Sequence, residues 1–373
     1  MTLRARIEQE IYQNGPISFS RYMEMCLYEP GLGYYARSRE QFGKAGDFYT
    51  SSDVHAIFGR LMARQFEEMW RALGSPERIE IIELGPGRGL FARDVLDWSR
   101  HKFPGFFRAL HYTLVERSGG LQEKLASTLE EYMATQKAAI AGDIASPVSA
   151  KNAIVFANEF FDALPVEVLS DRGAMRVGWE AGRFFESFVP ASAAEMEYLD
   201  RYSIHSEEGE RVEAGLEAQR WMARIAAVVP RGFAVIIDYG YTREELLTGH
   251  HRGTVLCYRQ HSVSDNPYEA PGEQDITAHV NFTALRAAGQ QTGLDCLGLL
   301  TQMQFLMGIG EDTQFSDAFE DDGLPQVRAK RALQLKHLVT PAGMGEAFQV
   351  LVLSKGVESE KIAGLAGLRS LAG

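Results

Sequence analysis

Residues 78–96 read RIEIIELGPGRGLFARDVL, and this stretch decides the fold. It begins with a short apolar, β-branched run that is typical of a buried strand. It ends with apolar residues at the spacing of a helix. Between them lie Gly85, Gly87 and Gly89, which can adopt positive φ angles and let a ligand approach the backbone. The stretch therefore predicts a strand, a glycine turn and a helix whose first N–H groups can face a ligand.

The spacing of the glycines separates several kinds of nucleotide-binding loop. The pattern is Gly-x-Gly-x-Gly, with Pro86 after the first glycine, and not the Gly-x-Gly-x-x-Gly of dinucleotide-binding proteins. No Gly-Lys-Ser/Thr follows, as it would in a phosphate-binding loop. Glu83 precedes the glycines, where an acid repels a pyrophosphate but suits a cationic ligand that carries an amino acid. The loop therefore predicts a site for S-adenosylmethionine (SAM), and a tight turn without a ligand is the alternative.

Composition excludes several classes of protein. A chain of 373 residues suits a core domain with large insertions or two domains. The net charge of −12 argues against a general nucleic-acid binder, which would carry a basic face. Cys26, Cys257 and Cys296 form no CxxC pair, so we expect neither a disulfide framework nor a metal site.

The sequence also bears on location. No stretch approaches the roughly 18 apolar residues that a membrane span needs. The first residues soon include acids and lack the apolar centre of a signal peptide. We therefore expect a cytoplasmic protein, or one of the mitochondrial matrix if the source is organellar.

Two predicted strands after the glycine loop end in acids. Strand 111–116 ends at Glu116, where an acid of a Rossmann-like sheet can accept hydrogen bonds from a ribose diol. Strand 138–144 ends at Asp143 and Ile144, where the carboxylate can meet an adenine amino group. A solvent-facing acid is the alternative at both positions.

A fourth predicted strand, 153–157, leads directly into Asn158-Glu159-Phe160-Phe161-Asp162. Open α/β sheets hold their ligands at the carboxyl ends of their strands. An amide, two acids and two aromatic rings within five residues therefore predict part of a functional site.

The βα rhythm and its interruptions divide the chain into segments. These are an N-terminal helical and lid segment (1–72), the SAM-binding Rossmann-like half (73–165), an inserted hairpin and helices (166–230), the second half of the sheet (231–356) with an insertion (241–285), and a tail (357–373) that we expect to fray.

Two irregular stretches carry further candidate residues. Residues 31–50 mix glycines and aromatic residues, and we expect them to close over the cofactor with Gly46, Asp47 and Thr50 in contact with it. A solvated connector is the alternative. The later insertion ends near His279, which can act as an acid or base at neutral pH, although a lone histidine is often an ordinary loop residue.

Together these motifs resemble one family, the MidA-type methyltransferases, over about residues 15–355. The most specific run is Asn158–Pro165, and further matching runs are Gly33-Tyr34-Tyr35, Gly46-Asp47-Phe48, Glu83–Gly89, Asp238-Tyr239-Gly240, Asp275–Phe282, Gln304-Phe305-Leu306 and Gly343-Met344-Gly345. The resemblance implies an α/β, Rossmann-like sheet of seven strands of the class I methyltransferase type, with an N-terminal helical extension and inserted substrate-side segments. It also implies SAM as the methyl donor. The family includes a mitochondrial protein arginine methyltransferase needed for respiratory complex I assembly.

The resemblance suggests an acceptor, but the sequence does not settle it. An arginine side chain stays protonated and needs carboxylates that orient it. Glu159 and Asp162 are the candidates, with Asn158 and His279 completing the predicted catalytic set. Residues 51–53 and 166–168 depart from the usual family sequence on the side where we expect the acceptor.

Alternative functions remain open at this stage. The same class of enzyme can methylate an oxygen or nitrogen of a small metabolite, and an assembly factor can bind SAM without catalysis. Glu83 and the glycine spacing disfavour a nicotinamide-dependent dehydrogenase. We expect a protein or small-molecule acceptor, no nucleic acid and no membrane span. The oligomeric state stays open, a homodimer included.

Overall fold

The computed structural model describes residues 1–37, 56–145, 151–249, 253–259, 262–311, 313–316, 319, 325–341 and 343–371. Within them the helices are α1 (Leu3–Asn14), α2 (Phe19–Tyr28), α3 (Ala56–Ala72), α4 (Leu90–Lys102), α5 (Pro104–Ala109), α6 (Gly119–Thr128), α7 (Glu130–Ala134), α8 (Ala193–Tyr202), α9 (Leu216–Val228), α10 (Arg243–Leu247), α11 (Phe282–Gln291), α12 (Gln302–Glu311), α13 (Pro325–Val339) and α14 (Ser359–Ile362). Short 3-10 turns lie at Tyr34–Ala36 and Ala366–Leu371.

The strands are β1 (Ile17–Ser18), β2 (Ile79–Leu84), β3 (Leu110–Val115), β4 (Ala138–Ala141), β5 (Ala153–Asn158), β6 (Glu167–Ser170), β7 (Gly173–Glu180), β8 (Arg183–Val189), β9 (Val212–Ala214), β10 (Gly232–Tyr241), β11 (Leu256–Arg259), β12 (Ser262–Ser264), β13 (Asp275–Thr277), β14 (Val280–Asn281), β15 (Asp295–Thr301) and β16 (Phe348–Lys355). Among the described residues, no helix combines the length and the apolar character that crossing a bilayer requires.

The chain forms two compact units, each assembled from three separate stretches. The sheet unit comprises Tyr49–Glu159, Ala223–Tyr239 and Gly289–Gly373. The accessory unit comprises Met1–Phe48, Phe160–Met222 and Gly240–Ala288. Contacts between residues define these units, whereas the segments that we derived from the sequence are consecutive ranges of the chain. The segment boundaries therefore stay a prediction.

The sheet unit contains the seven predicted strands, in the order β15-β16-β10-β5-β2-β3-β4, and the two-residue strand β14 adds an eighth by pairing with Gly240 and Tyr241 of β10. Strands β10, β5, β2, β3 and β4 are parallel, and β16 runs antiparallel to both of its neighbours. Strand β2 is buried along its whole length and β5 is buried up to Ala157, as is usual for parallel strands with both faces covered, and the buried acids Glu80 and Glu83 interrupt the apolar sequence of β2. This confirms the α/β, Rossmann-like fold class.

Helix α3 supplies much of the core beside this sheet. Its buried residues include Phe58, Leu61, Met62, Phe66 and Met69, which recur at helical spacing and form an apolar stripe. Rings from the strands and helices meet there, since Phe91 stacks on Phe156 with centroids 4.5 Å apart.

We expected the tail to fray, but its described part packs against α3. The backbone N–H groups of Ala366 and Gly367 donate to Glu68 Oε2 and Gln65 Oε1 on α3, at 2.9 Å each. Leu365 is 2% exposed. Small residues are needed here because a Cβ atom at Gly367 would lie 2.5 Å from Gln65 Oε1. The small-residue composition therefore marks close packing and not mobility.

The accessory unit contains an antiparallel sheet with the order β1-β7-β6-β9 and with β8 paired to β7. The predicted hairpin is present as β6 and β7. Within segment 166–230, where we expected a hairpin and helices, the strand β9 also lies between two helices. Residues Val212–Ala214 are buried and pair with β6, so tertiary pairing outweighs the helical character of the surrounding sequence.

Candidate functional site

Four parallel strands of the sheet unit, β5, β2, β3 and β4, end side by side. Leu84 on β2 is in register with Ala157 on β5 and with Val115 on β3. Strand order reverses between β2 and β5, because β3 and β4 lie on one side of β2 while β5 and β10 lie on the other. Such a switch point is where open α/β sheets bind ligands. The residues that follow these strands therefore form the candidate site.

The glycine loop leaves β2 at this switch point. Gly85, Gly87 and Gly89 have φ angles of 61°, 53° and 75°, a region that side chains disfavour. The Gly85 N–H donates to Val115 O at 3.2 Å. Gly89 precedes α4, and no side chain of the described residues caps the first turn of this helix. The loop thus presents backbone N–H groups and little bulk, as the sequence predicted.

Glu83 lies one residue before the end of β2 and is 5% exposed. Its Oε2 accepts a hydrogen bond of 2.9 Å from the Tyr112 hydroxyl. Burial raises the pKa of Glu83 to about 8, and the hydrogen bond from Tyr112 opposes the rise. The side chain is therefore largely neutral at pH 7 until a cation comes close to it.

Glu116 follows β3 and is anchored by its own loop. Its N–H donates to Ala141 O at 2.9 Å, and its Oε1 accepts from the Ser118 N–H at 2.7 Å. Burial raises the pKa of this carboxyl, while the N–H groups of Ser118 and Arg117 lower it. The acid is thus fixed at the strand end that we predicted to face a ribose.

Asp143 and Ile144 follow β4. Asp143 is exposed, and its Oδ1 accepts from the Ala145 N–H at 2.7 Å while its Oδ2 pairs with Arg224 at 2.6 Å. The Ala145 N–H and then Arg224 hold the pKa of Asp143 below its usual value. Ile144 is buried. An adenine amino group would share this carboxylate with Arg224, and that contact stays a prediction.

Glu159 is the unusual residue of the site. Its φ angle is +51°, a left-handed conformation that costs a side chain about 1–2 kcal/mol. Its N–H donates to Ile237 O at 3.0 Å. Asn158 Nδ2 donates to its Oε1 at 3.0 Å, and the Tyr239 hydroxyl donates to its Oε2 at 3.3 Å. Strained backbone of this kind is characteristic of functional sites.

Asp162 and His279 belong to the accessory unit, while Glu159 belongs to the sheet unit. Asp162 is 7% exposed, and its backbone oxygen accepts from the Ala278 N–H at 2.9 Å. The His279 N–H donates to Thr254 Oγ1 at 3.0 Å. Asp162 and His279 thus lie on two backbone segments that the hydrogen bond from Ala278 to Asp162 joins. Their action together with Glu159 stays a prediction. Gly46, Asp47 and Thr50 lie outside the described residues.

Sequence reasoning missed several partners of the site residues. Tyr112 donates to Glu83, and Tyr239 donates to Glu159. Tyr239 stood in a matching family run, so its position beside a strand end was the available signal. Thr254 and Glu213 carried no signal of their own, because their contacts join residues that are distant in sequence.

A sheet of this order, with a Gly-x-Gly-x-Gly loop and strand-end acids at its switch point, defines the class I SAM-dependent methyltransferases. Comparison with known proteins agrees. A family described as "Putative S-adenosyl-L-methionine-dependent methyltransferase" matches residues 61–300. A Burkholderia thailandensis protein described as a "likely methyl transferase", solved bound to S-adenosyl-homocysteine, is 29% identical. It covers 98% of this chain and 94% of its own, with a TM-score of 0.82.

Curated relatives match almost the whole chain. The Danio rerio "Protein arginine methyltransferase NDUFAF7, mitochondrial" is 32% identical over 92% of this chain and 84% of its own length. The Drosophila melanogaster homologue, also named mitochondrial, is 30% identical over 95% and 85%. This chain therefore belongs to the MidA-type family of SAM-dependent methyltransferases, and SAM is its methyl donor.

The residues of the site fit SAM. The buried acid Glu83 suits a ligand with cationic groups, and Glu116 suits a ribose diol. A side chain at Gly89 is unfavourable, because the φ angle is 75° and a Cβ atom there would lie 2.8 Å from Leu125 Cδ2. The sheet edge thus combines space, backbone donors and acids where this cofactor needs them.

Proposed function

We propose that this enzyme transfers the methyl group of SAM to a side-chain nitrogen of an arginine in a protein. The names of the curated relatives support an arginine acceptor. A subunit of respiratory complex I is the first acceptor to test, on the basis of the family resemblance. The observation that carries the proposal is Glu159, a strained acid at the switch point.

The relatives also bear on location. Both curated relatives compared above are named mitochondrial, which supports a mitochondrial location for a protein of organellar source. The cytoplasmic location that we expected from the sequence finds no support in these names, and the location is part of the proposal.

Glu159 has the chemistry that an arginine acceptor requires. Bound SAM supplies an electrophilic methyl group. A guanidinium is planar, stays protonated and pairs with carboxylates through two parallel N–H groups. Asn158 and Tyr239 donate to the two oxygens of Glu159 and fix the plane of the carboxylate. Glu159 therefore orients the acceptor nitrogen, and a neutral hydroxyl acceptor would gain little from it.

Asp162 and His279 take the remaining roles in this proposal. We assign Asp162 as a second carboxylate that binds the acceptor. Its side chain is buried, and it directly follows the aromatic residues Phe160 and Phe161 in the sequence. His279 takes the proton that the acceptor nitrogen loses, which is a role that imidazole fills near neutral pH.

Glu159→Gln tests the proposal because it keeps the size of the side chain and removes its charge. The assay follows labelled methyl transfer from SAM into protein of a lysate from the source organism without its own copy of the enzyme. We expect an initial rate about 10- to 100-fold lower, the loss of a hydrogen bond to a charged group. SAM affinity measured by calorimetry should stay within about twofold.

Glu123→Gln is the matched control, because Glu123 is an exposed acid on α6 and should keep the normal rate. Mass spectrometry must place the methyl group on an arginine nitrogen. A near-normal rate for Glu159→Gln contradicts the assignment of Glu159. Methyl transfer to a small-molecule extract, and not to protein, contradicts the arginine acceptor.

A further inference from the structure

Thr254 joins a buried acid to His279 within the accessory unit. Its N–H donates to Glu213 Oε1 at 3.0 Å, and its hydroxyl donates to Glu213 Oε2 at 3.1 Å. The same hydroxyl oxygen accepts the His279 N–H at 3.0 Å. Glu213 and Thr254 are 3% and 7% exposed. A continuous chain of hydrogen bonds therefore leads from the carboxylate to the backbone of His279.

Neighbouring backbone contacts hold the same segment on both sides of His279. The Ala278 N–H donates to Asp162 O at 2.9 Å. On the other side, Val280 pairs with Gly240 and Asn281 pairs with Tyr241. The hydrogen bond to Thr254 holds the backbone of His279 itself, the residue between these two anchors.

Glu213 and His279 border the same cavity, whose walls include the aromatic residues Phe161, Tyr198 and Tyr241. Burial raises the pKa of Glu213 to about 7, and the hydrogen bonds from Thr254 oppose that rise. A buried acid is costly to keep in a fold unless it has a use. An apolar residue at position 213 would let β9 pair with β6 without the cost of burying a carboxyl group.

We propose that Glu213 and Thr254 are positioning residues that set the placement of His279 for methyl transfer. The inference rests on the proposed function, in which His279 takes a proton from the acceptor. A threonine suits this place because its hydroxyl donates to the acid and accepts from His279 at the same time. Because the Thr254 hydroxyl donates its proton to Glu213, a lone pair of the hydroxyl oxygen can accept the backbone N–H of His279.

Two substitutions of Thr254 separate positioning from packing. Thr254→Val keeps the shape and removes the hydroxyl, and Thr254→Ser keeps the hydroxyl and removes a methyl group. We expect Thr254→Val to lower the initial rate of methyl incorporation into the lysate protein about tenfold or more. Thr254→Ser should stay within about threefold of the wild type, and both variants should bind SAM normally by calorimetry. Equal rates for the two variants overturn the inference.

A double-mutant cycle tests whether Thr254 acts through His279. His279→Gln alone should lower the rate, and adding Thr254→Val should lower it no further. Wild-type activity in His279→Gln, or independent losses that multiply in the double variant, would overturn the inference. If thermal melting shows that Thr254→Val is unfolded, Glu213→Gln takes its place in the same cycle, with the same outcomes.

The two proposals fail in different experiments. If the wild-type protein places no methyl group on arginine, the proposed function is wrong. If it does so, but the cycle is additive or the serine variant is as slow as the valine variant, only the positioning role is wrong.

Discussion

The affinity for SAM should depend on pH through Glu83. This carboxyl is 5% exposed, and burial raises its pKa to about 8. The acid is neutral below that pKa and charged above it, so a cationic ligand that needs the charged form binds more tightly as the pH rises. Removing the charge by Glu83→Gln removes the titration.

The size of the effect follows from the charged fraction. With a pKa of about 8, about one molecule in a hundred is charged at about pH 6 and about one in eleven at about pH 7. The apparent affinity for SAM should therefore rise about ninefold between about pH 6 and about pH 7, which is about 1.3 kcal/mol in the free energy of binding. Binding at about pH 7 should release nearly one proton per SAM.

Isothermal titration calorimetry measures both quantities. Titrations between about pH 6 and about pH 7.5, in two buffers with different ionisation enthalpies, give the affinity and the number of protons released. Glu80→Gln is the matched control, because Glu80 is a buried acid at the other end of β2 and its Oε1 accepts from Thr113. This control should keep the slope that Glu83→Gln loses. A flat affinity in the wild type, or the same slope in Glu83→Gln, would refute the reasoning.

Two further predictions concern the same edge of the sheet. Glu116→Ala should weaken SAM binding by about 1–3 kcal/mol, because it leaves a buried hydrogen-bonding partner unsatisfied, and unchanged affinity by calorimetry would reject the ribose assignment. Gly89→Ala should lower the free energy of unfolding by about 1–2 kcal/mol, because the φ angle of 75° is unfavourable for alanine and its Cβ atom would lie 2.8 Å from Leu125 Cδ2. Gly120→Ala on α6 is the control in denaturant titrations, since a Cβ atom there meets nothing within 4 Å, and equal losses in both variants would contradict the steric argument.

Local patterns were sufficient to predict the sheet unit. The runs at β2, β3 and β5 are short, mostly apolar and followed by glycines or acids, so the strands and the residues at their ligand-facing ends could be predicted from the sequence. The positive φ angles of Gly85 and Gly87 also follow from the residue type.

Features that depend on distant partners could not be predicted. Glu159 is left-handed because Ile237 O holds its N–H, and nothing in its own sequence favours that conformation. Asp143 was predicted to meet adenine, but its pairing with Arg224 comes from a residue 81 positions away. Strand β9 was predicted as helix because its pairing with β6 is not visible in its composition. The contact between Thr254 and Glu213 likewise spans 41 positions.

The hydrogen bonds between α3 and the tail have a consequence for synthesis of the protein. They join Gln65 to Gly367 and Glu68 to Ala366, across 302 and 298 positions of the chain. Helix α3 therefore emerges from the ribosome long before the residues that complete its surroundings. Contacts of such high sequence separation slow folding, because the chain entropy must be lost before they form. During that interval α3 lacks the contacts that Ala366 and Gly367 make with it, and transiently exposed apolar surface of this kind is what makes partly folded chains prone to aggregation.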